Sequence, residues 1–576
     1  MNFENWLPKS ILGLRNYNGR KFLADLVAGV TVGLVALPLA MAFAIASGVP
    51  PQAGLYCAIV AGFLISALGG STTQIGGPTG AFVVVVYGIV TKYGVDGLYM
   101  CTLMAGVMLV VLGVTGLGTA VKFIPRPVVV GFTNGIAVLI ASTQIKDFFG
   151  IQVDKVPGEF FARMAVLGRN FRSFSPLETG LGVLALLLIL VFMRYVKKVP
   201  GYIVALFVGT AAVAILRLPV ETIGTRFGGI PSGLPSVAIP QFRFDLLRPL
   251  VPPAMTVAML GAIESLMSAV VSDRMSGDKH NPNVELVGQG VANIFSPLFG
   301  GLPATGAIAR TATNIRSGAK TPVAGMVHAL TLLAIIMFAA PLARFVPLSV
   351  LAAILLVVAY NMGEWAEIPE LLKLSSLEIG TWLVTFLLTV FADLTVAVEA
   401  GMILAALIFI RKVTITTTVS QVTEQYVREG YAHILQHKEI PSYVTIFRIH
   451  GPFLFGATDK IEEIVSRIPE LPPIVILRLR NMTAIDATGL QALENLADAV
   501  HGSGRGLILC GAREQPSRLM RNAEFEQHVG VENICASIAD ALERAKALRV
   551  SLAEQAERAR QFEEKLAEAY RMSTLH

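Results

Sequence analysis

Between Phe22 and Ile410 one apolar run follows another, each roughly as long as the ~20 residues an α-helix needs to cross a hydrocarbon core. A chain of 576 residues with 54% hydrophobic and only 15% charged residues is too apolar for a soluble enzyme, so the runs read as membrane spans. They fall near 23–46, 52–70, 78–93, 98–120, 128–145, 178–195, 201–217, 252–272, 285–299, 304–316, 322–341, 348–361, 379–392 and 394–410. The set divides seven and seven around the polar segment 219–253. An odd number per half obliges the second half to enter the bilayer inverted. The expected fold class is an α-helical polytopic membrane protein with 14 transmembrane segments in a 7+7 inverted repeat, plus a small α/β cytoplasmic domain.

Basic residues support that arrangement. With the N-terminus inside, Lys122 and Arg126, Arg194, Lys197 and Lys198, Arg274 and Lys279, Arg316 and Lys320, and Arg411 and Lys412 all cluster at span ends on one face. Both chain ends are then cytoplasmic, in a multi-pass protein of the cell inner membrane. The net charge of +6 needs no nucleic acid to explain it. Residues 1–21 are polar, carry Trp6, Lys9, Arg15, Arg20 and Lys21, and lack a signal-peptide core, so they read as a cytoplasmic leader. Cys57, Cys101, Cys510 and Cys535 lie far apart without metal-ligand spacing and are expected as free thiols.

Two segments break the apolar pattern in the same way. Gly300-Gly301-Leu302-Pro303-Ala304-Thr305-Gly306-Ala307-Ile308-Ala309-Arg310 cannot continue a helix through its glycines and proline. A helix beginning just after Pro303 would turn the N–H groups of Ala304 to Ala307, and the positive end of its dipole, toward an anion. Gly76-Gly77-Pro78-Thr79-Gly80-Ala81-Phe82 repeats the pattern in the first half. A pair of Gly/Pro-interrupted segments in matching halves points to a transporter's central site, whereas either one alone would be an ordinary kink.

Glu264 lies well inside a span, where a carboxylate needs a polar cavity, a partner charge, a cation or a proton. Ser268 follows at i+4 on the same face. Glu264 is therefore either the coupling site, exchanging H+ or holding Na+ with Ser268 and Thr305, or a structural acid bonded to a neighbouring helix. Arg310 is either a direct contact for the anion's oxygens or an internal partner for Glu264. Phe43, next to the break at Pro38, is a candidate cavity wall or plain packing. Asp393 and Glu399 flank the last break and receive no chemistry. None of the eight histidines pairs usefully with a nucleophile or carboxylate, and there is no phosphate loop, dinucleotide fingerprint or metal cluster. ATP-driven pumping, enzymatic catalysis and a resident cofactor or metal are thus not expected. A secondary active carrier for small anions is expected instead, with an anion channel or voltage-responsive protein as the alternative.

Beyond Ile410 the pattern changes. The domains expected are 1–21 leader, 22–412 membrane domain, 413–440 linker, 441–550 α/β domain and 551–576 helical tail. Strands are expected at Tyr443–Ile449, Ile474–Leu479 and Gly506–Cys510, with helices at 457–468, 488–500, 516–521 and 536–548.

Pro38-Leu39-Ala40-Met41-Ala42-Phe43-Ala44, Gly54-Leu55-Tyr56, Gly77-Pro78-Thr79, Gly288-Gln289-Gly290 and Gly306-Ala307-Ile308-Ala309-Arg310 resemble the SulP family of anion transporters. Animal members of that family include sulfate and chloride/bicarbonate exchangers and prestin. The C-terminal domain resembles a STAS domain through Ile485-Asp486-Ala487-Thr488-Gly489-Leu490. The resemblance implies core and gate domains, elevator-type alternating access and a homodimer. It places Thr79, Gly80 and Ala81 from the first half-helix, and Thr305, Gly306, Ala307, Ile308 and Arg310 from the second, around sulfate, bicarbonate or dicarboxylate. It puts Glu264 where relatives carry a coupling acid and Ser268 where a sodium-coupled bicarbonate carrier has a hydroxyl ligand. Gly261-Ala262-Ile263-Glu264-Ser265-Leu266, with Lys279-His280 and Glu285-Leu286-Val287-Gly288-Gln289-Gly290, looks most like a bacterial branch carrying four-carbon dicarboxylates with protons. Ala487 replaces the serine phosphorylated in anti-sigma antagonists, so the STAS domain reads as a module for assembly, regulation or a cytoplasmic protein partner.

Overall fold

The computed structural model describes residues 6–15, 17–116, 118, 125–153, 156–196, 200–233, 235–237, 243–392, 394–422 and 440–573. Lys122, Lys197, Lys198, Asp393 and most of the 413–440 linker lie outside the described residues, as does the side chain of Glu399. The chain divides into two compact units, Met1–Ala405 and Ala406–His576.

The first unit runs α1 (Lys9–Leu14), α2 (Gly19–Ala46), α3 (Pro51–Leu68), the two-residue strand β1 (Gly76–Gly77), α4 (Gly80–Val114), α5 (Arg126–Phe149), α6 (Phe160–Arg169), α7 (Pro176–Tyr195) and α8 (Gly201–Leu216). It continues with α9 (Ile223–Phe227), α10 (Leu247–Ser276), α11 (Pro282–Phe295), the strand β2 (Thr305–Gly306), α12 (Ile308–Arg316), α13 (Val323–Ala343), α14 (Leu348–Met362), α15 (Ile368–Leu371) and α16 (Ser376–Phe391), and α17 (Leu394–Thr416) runs from this unit into the second. A helix stands at each segment expected from the apolar runs, because α4 is two helices meeting at Gly94, whose φ of 74° breaks the spiral. Eight helices among the described residues are long and apolar enough to cross a membrane; α8 and α16 are apolar but shorter. Prolines at the first helical position open α3, α7 and α11, where a missing N–H costs nothing. Leu187, Phe207, Phe338, Ile403 and Leu407 are exposed on outer helix faces, as lipid-facing residues are.

These helices pack as two bundles. The first gathers α2, α3, α4, α10, α11, α12 and α13; the second gathers α5, α7, α8, α14 and α16. Two buried carboxylates clamp the first bundle across the sequence halves. Asp25 of α2 accepts from Lys320 N (2.6 Å), Thr321 N (3.1 Å) and Thr321 Oγ1 (2.6 Å). Glu285 of α11 accepts from Gly70 N (2.9 Å), Ser71 N (3.0 Å) and Gln289 Nε2 (3.0 Å). A buried carboxylate with three donors is satisfied in place, which makes both of them fasteners.

In the second unit β3 (Thr418–Gln421) pairs antiparallel with β4 (Val444–Phe453), and β5 (Ile474–Ile485), β6 (Gly506–Cys510) and β7 (Ile534–Cys535) follow in parallel. The sheet thus takes a strand from the stretch expected to be linker. Phe447, Leu477 and Leu509 face α18 (Asp459–Ser466) and α19 (Ala487–Gly502) on one side. Ile446, Ile476 and Ile508 face Ile538, Ala541 and Ala545 on the other. The latter residues belong to α22 (Ile538–Ser573), which follows α20 (Glu514–Asn522) and α21 (Glu526–Val529) and joins the expected last helix and tail into one.

Candidate functional site

The two broken segments meet. Gly76 pairs with Gly306 and Gly77 with Thr305 in an antiparallel ladder two residues long, so α4 and α12 start side by side from one backbone junction. Thr79 caps α4, whose first N–H groups are those of Gly80 and Ala81. The expectation of a helix beginning at Pro303 is corrected here: α12 starts at Ile308, with Ala307 as its cap. The pairing explains the delay. Ala304 N donates to Asn293 Oδ1 (2.8 Å), Gly306 N to Ser265 Oγ (3.2 Å) and Ala307 N to Ile75 O (2.8 Å). Those donors are taken, and the ones left without intrahelical acceptors are Ile308, Ala309 and Arg310.

Glycine is required at the junction. Gly77 holds φ at +146°, and a Cβ there would come within 2.7 Å of Arg310 Nη1. A Cβ on Gly306 would overlap Gln74 Nε2.

Arg310 and Glu264 both reach this junction, yet Glu264 bonds Thr79 rather than Arg310. Thr79 Oγ1 donates to Glu264 Oε2 at 2.8 Å. Arg310 is 2% exposed; its Nη2 donates across the junction to Pro78 O, while Nη1 has no hydrogen-bond partner among the described residues. The hydroxyl set proposed for sodium is dispersed. Thr305 Oγ1 lies 2.7 Å from Ser265 Oγ and donates to Gly261 O (3.1 Å). Ser268, one turn further, meets Thr311 Oγ1 at 3.1 Å, because α12 runs alongside α10 at that level.

A cavity of about 340 Å³ lies between the two bundles, within the range of small-molecule sites. Phe43, Thr79, Gly80, Glu264, Gly306, Ala307, Ile308 and Arg310 line it. Ala81, Thr305 and Ser268 do not; each is buried behind the lining, at 1%, 0% and 0% exposure. The sequence reading missed Thr133, Tyr202, Asn361 and Glu364, which form part of the opposite wall, and Ser265 and Gln74, which brace the junction. Ser265 was recoverable, since it sits beside Glu264 in the same polar stretch. The opposite wall carries no local signal.

Residues 22–385 match the model of the sulfate permease family, and residues 434–541 match the STAS domain. The Bacillus subtilis (strain 168) protein YvdB is 41% identical over 522 residues, covering 90% of this chain and 97% of its own. The chain belongs to the sulfate permease family. This family member is also 31% identical over 549 residues to the bicarbonate transporter BicA of Synechocystis sp. (strain ATCC 27184 / PCC 6803 / Kazusa), covering 91% of this chain and 94% of that one. Among solved structures, the transmembrane domain of a cyanobacterial bicarbonate transporter BicA matches with TM-score 0.61 and 35% identity, over 66% of this chain and 98% of that one. SLC26A9 matches with TM-score 0.83 over 96% of this chain and 94% of its own; at 17% identity that likeness shows the shared fold. The family is one of membrane transporters, which agrees with the absence of catalytic motifs in the sequence.

Proposed function

We infer that this protein is a secondary active transporter that holds a small anion, of the sulfate, bicarbonate or dicarboxylate kind, between the tips of α4 and α12. The pairing of Gly76–Gly77 with Thr305–Gly306 carries the reading, because it aims two positive helix ends at one cavity. The buried Nη1 of Arg310, without a hydrogen-bond partner among the described residues, supports it: such a donor is costly unless something accepts from it. Relatives named as bicarbonate transporters fit the same chemistry. Glu264 is the coupling site, and H+ suits it better than Na+, since Ser268 and Thr305 lie behind the cavity lining rather than beside Glu264 in it. Alternating access moves the first bundle, the core, against the second, the gate, in elevator fashion within a homodimer. Its termini face the cytoplasm, with the STAS domain there for assembly or regulation.

The test is uptake of labelled sulfate, bicarbonate and a four-carbon dicarboxylate into proteoliposomes, with and without proton or sodium gradients. Saturable uptake and counterflow are expected for at least one of them. Unitary conductance without saturable counterflow establishes the channel alternative instead.

A further inference from the structure

The walls of the cavity differ in exposure. Its lining is exposed at Ile308, Ala309 and Asn361 and buried at Phe43, Gly80 and Ile136. Past those buried residues, within two helical turns, the chain reaches Gly48 beyond α2, Tyr87 on α4 and Ser142 on α5. There the segment 156–163, which includes the first turn of α6, contacts both bundles.

Its attachments to the two sides differ. On the second bundle, Arg163 Nη1 donates to Ser142 Oγ (2.8 Å), and Phe161 stacks on Phe391 of α16 at 4.9 Å between ring centroids. On the first bundle, Tyr87 holds it among the described residues. Its hydroxyl donates to Val156 O (2.7 Å), its ring lies 5.8 Å beneath the Arg163 guanidinium, and a Cβ on Gly158 would sit 3.3 Å from its Cε1. Arg163 is 2% exposed and forms no ion pair with a carboxylate among the described residues; its Nε donates to Pro157 O (3.2 Å) and its Nη2 to Gly158 O (2.6 Å). Those carbonyls belong to the same segment and travel with it. Withdrawing Tyr87 therefore breaks one neutral hydrogen bond and one cation–π contact, and leaves no charge without partners.

We propose that segment 156–163 is the latch closing the buried end of the cavity, with Arg163 as its fixed side and Tyr87 as the catch released when that end opens. The inference rests on the alternating-access reading above.

The first experiment measures anion KM separately from each side in oriented proteoliposomes of the full chain and of Tyr87→Phe. Losing one neutral hydrogen bond shifts the closed-to-open ratio by about 3- to 10-fold. Apparent affinity scales with the competent fraction, so KM at the latched side falls by about that factor and KM at the other side barely moves. A purely structural role moves both together or neither, and either result overturns the latch. The second experiment joins Tyr87→Cys to Gly158→Cys with a short bis-methanethiosulfonate linker, in a Cys535→Ser background so that the remaining thiols are buried. Exchange is expected to stop and to return with reductant; full exchange with the bridge in place overturns the proposal. A parent protein without saturable exchange counts against the carrier reading instead.

Discussion

The tips of α4 and α12 are near copies in backbone and unlike in charge. Each starts from a Gly-containing two-residue strand, each is capped without a side-chain bond of its own, and each offers unpaired N–H groups. Yet the charged side chains lining the cavity among the described residues, Glu264, Arg310 and Glu364, all come from the second half. The first half contributes Thr79, whose hydroxyl serves Glu264, and Pro78, whose carbonyl serves Arg310. Matching backbone thus builds the junction, while the second half alone supplies its charged side chains.

The hardest blow to that division is Arg310→Gln. It should lower anion kcat/KM by about 100-fold, ~2.7 kcal/mol, with Arg310→Lys between it and the parent, measured as uptake in proteoliposomes. Retained uptake in both variants would mean that the helix ends suffice alone. Glu264→Gln should reduce proton-driven accumulation by about 10-fold or more while counterflow persists, because the amide still accepts from Thr79 but cannot exchange a proton. Accumulation that survives moves the coupling site elsewhere. Gly77→Ala and Gly306→Ala each overpack the junction and should cost about 1–3 kcal/mol in thermal unfolding. Gly77→Ala should raise anion KM more, because its Cβ meets Arg310 whereas that of Gly306 meets Gln74. The smallest effect expected is for Ser265→Ala, which removes hydroxyl contacts with Thr305 and Gly306; about 1 kcal/mol, or a fewfold rise in KM, is anticipated. Ser268→Ala, behind the cavity wall, should leave KM close to the parent value.

The elements legible in the sequence were those with local causes. Span-length apolar runs mark every long helix before residue 410, and the glycines and proline at 76–78 and 300–303 mark both breaks. Glu264 and Arg310 declared themselves as charges in apolar surroundings. The register between Gly76 and Gly306 had no such trace, because pairing residues 230 positions apart is decided by tertiary packing. For the same reason the start of α12 was misplaced: Pro303 is a good helix opener, but Asn293 and Ser265 had already claimed the following N–H groups. Tyr202 and Asn361, across the cavity, look in sequence like any polar residue near a helix end.

Because Gly76–Gly77 and Thr305–Gly306 share one ladder, neither half of the chain forms the junction or the cavity beside it by itself. Expressed as two polypeptides, the halves would each hold an incomplete cradle, and function would return only on reassembly. The ladder also makes each half's junction a packing boundary for the other: a Cβ on Gly77 would press on Arg310 from the second half, and one on Gly306 on Gln74 from the first.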